Sequence, residues 1–245
     1  MSTPQKNLER FAAILQATYE RIDWHRLGQE YCFEGGESFF TDESIDAIQD
    51  AGLHIASDME ARLRTLPTLD SLYVGPGVAE LVMMLFESLL IGRRVRAVTL
   101  PGIEPDEVNR VWSGLGKEFR IQLPKFETKP LQFAQDPTVS HLWFASVLTD
   151  PEAFHRPARP LVQAANTRLA VGGGNLTKET RRAEALVQTA LTWITAPALL
   201  TTSLEELPFF QEAVGGMGLR LKVPEQGRLS PIVGDSIFHC TLRRD

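Results

Sequence analysis

The sequence predicts an α/β protein: a mostly parallel seven-stranded sheet whose last strand is antiparallel, with helices on both faces and a helical segment in front. Three observations predict it. From residue 69 onward, short runs rich in Val, Leu and Ile alternate with helix-patterned stretches, as expected for strands covered on both faces. Near the end, "LRLKV" (219–223) and "SIFHCTL" (236–242) are joined by "PEQGRLSPIVGD" with no helix between them, which makes that pair antiparallel. Before residue 66 the apolar spacing is helical.

The elements follow in order. In "LERFAAILQATYERI", Leu8, Phe11, Leu15, Tyr19 and Ile22 form one helical stripe. Ile45, Ile48, Ile55, Met59 and Leu63 form a second, starting at a Thr41 or Asp42 cap. Between them lies "YCFEGGESFF" (31–40), four aromatics around a Gly-Gly hinge. The composition shifts near "RTLPTLD" (64–70), dividing the chain into a helical cap or lid over 1–66 and a core domain over 67–245. Strand candidates are "LYV" (72–74), "VRAVTL" (95–100), "FRIQL" (119–123), "HLWFASVL" (141–148), "RLAV" (168–171) and the two terminal runs. Helices are expected over 78–91, 105–114, 177–195 and 204–214. Ser203 and Glu206 give the last one a capping-box signature. Gly92 and Gly215 stand where helices end. The "GRRVR" cluster (92–96) reads as a solvated helix end.

Composition narrows the function. The formal net charge of −6 speaks against a nucleic-acid substrate. Two cysteines, Cys32 and Cys240, make no Cys-x-x-Cys pair and read as reduced cytoplasmic thiols. The five histidines show no ligand spacing, so no metal site is expected. No signal core and no membrane-length apolar run is present, which reads as a cytoplasmic protein without a membrane partner. No nucleophile stands on a recognisable elbow, which argues against hydrolase chemistry.

The stretch "SLYVGPGVAE" (71–80) carries the chemistry. A strand enters a Gly-Pro-Gly turn and leaves on a helix, at the carboxyl end where doubly wound sheets bind ligands. Gly75 and Gly77 allow close backbone approach. A dinucleotide loop would carry a third glycine where Glu80 stands. A carboxylate there repels pyrophosphate, and no phosphate-cradling Gly-Lys-Ser/Thr exists. S-adenosylmethionine, cationic and free of phosphate, suits such a loop better. The plain alternative is a bare turn between strand and helix.

With that loop and element order, residues 69–242 resemble the class I S-adenosylmethionine-dependent methyltransferases, a Rossmann-like family. The resemblance implies cofactor contacts at Gly75, Pro76 and Gly77. The family often has an acid two residues before the first glycine; here it is Tyr73. At the end of the second strand, where the family holds the ribose with an acid, stand Thr99 and Leu100, with Glu104 the nearest acid. The loop "ASVLTDPEAF" (145–154) corresponds to the family's reaction-centre loop and brings in Ser146, Val147, Leu148 and Asp150. Asp150 is a candidate base or electrostatic partner for an amine; equally, Thr149 or Asp150 caps a helix with Pro151 at its first position. "VGGGNLTKET" (171–180) is either a ligand loop or a loop capped by Asn175 or Thr177.

Tyr31, Phe33, Phe39 and Phe40 are candidates for an aromatic lid, with Tyr31 and Tyr73 as candidate catalytic phenols. The activity implied is transfer from S-adenosylmethionine to a small molecule, methyl transfer first. One alternative is aminocarboxypropyl chemistry, cyclising the cofactor to azetidine-2-carboxylate with loss of methylthioadenosine. The other is a non-catalytic descendant that binds a partner. A homodimer is compatible with the sequence.

Overall fold

The apolar stripes of the N-terminal segment fold as three helices, α1 (Thr3–Arg21), α2 (Trp24–Tyr31) and α3 (Asp42–Arg64). In the first stripe, Phe11, Leu15, Tyr19 and Ile22 are buried, whereas Leu8 is 57% exposed and leaves the expected face. Thr41 caps α3 and exchanges hydrogen bonds with Ser44, as expected from the cap residue. The computed structural model describes residues 3–31, 36–68, 70–131, 138–150, 154, 176–230, 232 and 234–245. The predicted strand "RLAV", the glycines of "VGGGN", Cys32, Phe33 and Pro151 lie outside them.

The fold is mixed α/β and Rossmann-like, an eight-stranded sheet, mostly parallel, with antiparallel C-terminal strands and flanking helices. By contacts the chain divides into two units, 1–65 with 76–129 and 231–233, and 66–75 with 130–230 and 234–245.

In the first unit, α1–α3 pack with α4 (Leu81–Phe86), β2 (Arg94–Thr99), α5 (Ile103–Phe119) and β3 (Phe126–Thr128). Phe11 meets Phe86 edge-on at 6.3 Å. The Trp112 indole, buried in α5, donates to Thr18 Oγ1 (3.2 Å). A Cβ on Gly52 would stand 2.6 Å from Val82 Cβ, so α3 and α4 approach through a missing side chain. The expected helix over 78–91 is irregular. A 3-10 turn (Val78–Glu80) leads into α4, and a π-helical turn (Glu87–Ile91) ends at left-handed Gly92.

The "FRIQL" strand is not formed. Arg120 takes a left-handed conformation that stops α5, and Ile121 N donates back to Gly116 O. β3 starts later, where Asn109 holds Phe126 by both its backbone N–H and its carbonyl (2.9 Å each). β2 and β3 run parallel, Ala97 opposite Phe126. "GRRVR" is not a solvated end either. Arg93 is buried on the Glu87 carboxylate (3.1 Å), and β2 begins at Arg94.

In the second unit, β1 (Asp70–Val74) pairs parallel with β4 (Val139–Phe144), and β4 with β5 (Ile194–Ser203). All six residues of β4 are buried, the signature of a strand covered on both sides. β8 (Ser236–Arg244) pairs antiparallel with both β5 and β6 (Leu219–Lys222), and short β7 (Arg228–Leu229) also joins it. The helices are α6 (Leu176–Thr192) and α7 (Leu207–Gly215).

β5 is absent from the sequence reading, which ran the preceding helix on to 195. Pro197 argues against a central strand because it has no N–H to donate. The β4–β5 ladder accommodates it with a register shift: Val139 faces Ile194 but His141 faces Leu199. Gly215 is the last residue of α7, and Gly216 takes the cap.

Candidate cofactor and acceptor site

In the first unit, the exit of the glycine loop is built from carboxylates. Gly77 N donates to Glu80 Oε2 (2.8 Å), and Val78 N donates to Glu104 Oε1 (2.6 Å). These are the N–H groups that a phosphate would otherwise take at a helix start. Glu104 stands in the first turn of α5. That turn is itself capped by Glu30 of α2, whose two oxygens accept from Ile103 N (3.0 Å) and Glu104 N (2.9 Å). Tyr31, the last residue of α2, donates its hydroxyl to Glu104 Oε1 (2.8 Å).

A Cβ on Gly77 would meet Glu104 Oε1 at 3.0 Å and the Tyr31 hydroxyl at 3.1 Å, so the glycine is required by proximity. Its φ of −119° imposes no strain. Glu104 Oε2 receives no donor among the described residues. Burial, reinforced by the Glu80 and Glu30 charges, pushes the Glu104 carboxyl up to about 7 against the pull of its two donors. Burial and then Glu104 push the Tyr31 phenol well up, so it remains a donor.

In the second unit, Gly75 takes a left-handed φ of +59°, and a Cβ there would press on Val147 Cγ2 at 3.3 Å. The loop after β4 is shaped by Glu206. Its Oε2 accepts from Ser146 N (3.1 Å), Ser203 N (3.2 Å), Ser203 Oγ (3.0 Å) and Thr202 Oγ1 (3.2 Å), and its Oε1 from Leu148 N (2.9 Å). Ser146 itself has a φ of +60°, rare for a residue with a side chain, and donates its hydroxyl to Asp235 Oδ2 (2.9 Å). Burial pushes Glu206 up to about 7 against the donors on Leu148, Ser203 and Thr202, which lower it.

The predicted residues are therefore distributed unevenly. Tyr31, Gly77, Glu80 and Glu104 come together. Thr99 ends β2 and Leu100 follows it, 36% exposed. Pro76 is buried at the turn. In the other unit, Val147 backs Gly75, Leu148 is buried, and Asp150 is half-buried, its carbonyl accepting from Phe154 N (2.8 Å). Tyr73 is fully buried and stacks on Trp143 (5.4 Å) beside His141. Its ring is thus packed on the sheet against Trp143 and His141. Sequence reading missed Glu30 and Glu206. The Ser203–Glu206 spacing marked the second, but only as a local cap; the carboxylate does accept from Ser203 N and also reaches some sixty residues back to the loop after β4.

Among the described residues no group of His, Cys, Asp and Glu is placed to hold a metal, and no helix is long and apolar enough to cross a membrane. Cys240 is buried and forms no disulfide among the described residues. No protein-family model and no curated protein matches the chain. Among solved structures, the chain is similar to magnesium protoporphyrin IX methyltransferase (ChlM) from Synechocystis PCC 6803 with bound SAM. The TM-score is 0.53 and the identity 13%, over 90% of this chain and 97% of that one. Cofactor-bound Rv0187 from MTB is similar at TM-score 0.48 and 10% identity, over 84% and 91% of the two chains. The chain has the fold of the class I S-adenosylmethionine-dependent methyltransferases.

Proposed function

We propose that this chain is an S-adenosylmethionine-dependent transferase acting on a small molecule, with methyl transfer as its reaction. The observation that carries the reading is the occupied anion site. Gly77 N and Val78 N, the donors a pyrophosphate would need, already serve the Glu80 and Glu104 carboxylates. Two carboxyl groups that already hold those donors oppose phosphate and leave a cationic ligand the better fit. The fold supports the same choice of cofactor.

Gly75, Pro76 and Gly77 would hold it by backbone approach, with Thr99 and Leu100 at the end of β2 and Ser146, Val147 and Leu148 after β4. When bound, S-adenosylmethionine supplies an electrophilic carbon on a sulfonium. The chain's own part is orientation. Glu206 holds the Ser146–Leu148 backbone in one conformation, and the Tyr31–Glu104 pair holds the exit of the glycine loop. Asp150 remains a candidate partner for the acceptor.

Calorimetry with S-adenosylmethionine, with ATP and NAD as phosphate-bearing controls, tests the binding. Tight binding of either control would overturn it. Mass spectrometry after incubation with cell extract tests the reaction. S-adenosylhomocysteine is expected; methylthioadenosine formed without an acceptor would instead mean aminocarboxypropyl chemistry. No binding and no product would leave a non-catalytic fold.

A further inference from the structure

Ser146 stands just beyond β4 with a left-handed φ of +60°. Glycine adopts that conformation freely, whereas a residue with a side chain keeps it only where its surroundings fix it. All three polar groups of Ser146 are engaged. Its N–H donates to Glu206 Oε2 (3.1 Å), its carbonyl accepts from Thr149 Oγ1 (3.1 Å), and its hydroxyl donates to Asp235 Oδ2 (2.9 Å). A glycine would make the two backbone bonds equally well. What the strained serine adds is a hydroxyl aimed at Asp235.

The antiparallel last strand brings Asp235 there. β8 begins at Ser236, and Ile237 faces Ser203 at the end of β5, so the acid before β8 lies at the carboxyl edge of the parallel strands. The backbone around it is tied down: Asp235 O accepts from Ser230 N (2.7 Å), and Ser236 O from Leu204 N (2.8 Å). Next to Ser146 in the chain, Val147 Cγ2 lies 3.3 Å from the place of a Cβ on Gly75. The pair thus belongs to the loop that meets the turn leaving β1, at the carboxyl ends of two neighbouring strands, where such sheets take ligands. Both residues are half-buried, so neither is sealed from solvent. Among the described residues no donor reaches Asp235 Oδ1, and no Lys, Arg or His pairs with the carboxylate.

A serine has one proton to give, and here it goes to Asp235. What the pair still offers is acceptor capacity alone, so its ligand must bring an O–H or N–H. A carboxylate favours the charged form of an amine beside it and so keeps the nitrogen lone pair protonated. A hydroxyl arrives neutral, with its lone pairs free, and becomes strongly acidic only as its new bond forms.

We infer that Asp235 is the proton acceptor for a hydroxyl-bearing substrate and that Ser146 positions it. The inference rests on the transferase reading above and narrows it to O-methyl transfer. The substrate's O–H bond breaks and its proton passes to Asp235 Oδ1. An oxygen lone pair forms the O–C bond as the C–S bond of S-adenosylmethionine opens, and that bonding pair stays on sulfur.

The test is a titration of the full chain, with and without S-adenosylhomocysteine, using phenol and its methyl ether anisole, read by saturation-transfer NMR. Phenol is expected to bind at least about tenfold tighter, because only phenol brings an O–H to the carboxylate. Asp235→Asn, whose amide can donate to either oxygen, is expected to bring the two within about twofold. Ser146→Gly relieves the left-handed backbone and is expected to melt within about 3 °C of wild type while losing most of the preference; a merely structural serine would leave the preference intact. Incubated with S-adenosylmethionine and cell extract, Asp235→Asn is expected to form S-adenosylhomocysteine at least about a hundredfold more slowly.

Equal binding of phenol and anisole by the wild type, or binding of neither, would overturn the inference, as would a preference that survives Asp235→Asn. A phenol preference in a chain that fails to bind S-adenosylmethionine would keep the hydroxyl site and refute the transferase. S-adenosylhomocysteine formed at an unchanged rate by Asp235→Asn would keep the transferase and refute the site.

Discussion

Glu104→Gln is expected to stabilise this protein at alkaline pH and leave it unchanged in acid. Glu104 Oε1 accepts both Tyr31 Oη (2.8 Å) and Val78 N (2.6 Å), and no described donor faces Oε2. A glutamine amide can therefore put its oxygen at Oε1 and its NH2 at Oε2 without setting donor against donor. It mimics the protonated acid. The wild-type carboxyl titrates at about 7 in the folded chain against an ordinary value of 4.5. Because the folded value is raised, its stabilising contribution is complete below 4.5 and is lost as pH rises through 7.

At about 1.36 kcal/mol per pH unit the loss is about 3 kcal/mol, which the partial exposure of Glu104 reduces to roughly 2. For a chain of 245 residues that is a Tm difference of about 4–8 °C. Glu206, also raised to about 7, contributes the same slope to both proteins and cancels in the difference. Calorimetric or circular-dichroism melts at pH 4 and pH 8 decide it. Nearly superimposable melts at pH 4 and a higher variant Tm at pH 8 are expected. A lower variant Tm at pH 8, or parallel pH profiles, would refute the reasoning.

Four further outcomes follow from the same geometry. Glu206→Ala strips the acceptor from three backbone N–H groups, two of them in the loop after β4, and should cost about 3–5 kcal/mol in urea unfolding. Glu87→Ala leaves the buried Arg93 guanidinium without its carboxylate and should cost about 3–5 kcal/mol, whereas Arg64→Ala, breaking an exposed pair with Glu60, should stay within about 0.5. Gly75→Ala should lose about 1–2 kcal/mol of stability through its left-handed φ, while Gly77→Ala, which crowds Tyr31 and Glu104, should bind cofactor at least about tenfold more weakly, read by calorimetry. Tyr73→Phe should keep kcat within about twofold and lose about 1 kcal/mol of stability, because the phenol is packed on Trp143; a collapse of turnover without loss of stability would restore it as a catalytic candidate.

Much of the fold was legible because its signals are local. The helical stripes of α1 and α3, the Thr41 cap, the largely apolar β4, and the helix-free link before β8 are all written in neighbouring residues. The misreadings arose where a distant contact overrode a local rule. Pro197 disqualifies "ITAPALLTTS" as a strand by itself, yet the strand forms because a shifted ladder with β4 tolerates the missing N–H. Arg93 looks like a surface cation until Glu87 is folded over it. "FRIQL" has a strand composition, but a left-handed cap at Arg120 moves the strand to residues that Asn109 can hold.

The candidate site divides in the same way. The sequence by itself determined the glycine loop, the acid at Glu80 in place of a third glycine, and hence the disfavoured phosphate. Only the tertiary structure decided what the acids do. Glu30 and Tyr31 of α2 stand more than seventy residues from Glu104 of α5, and no periodicity links them. Their pairing depends on helix ends meeting, where orphaned N–H groups must find acceptors. Glu206 keeps its local bonds to Ser203 and in addition serves the N–H groups of the loop after β4. Local spacing reports which residues are polar; burial and three-dimensional neighbours set which of them are charged, bonded, or left open for a ligand.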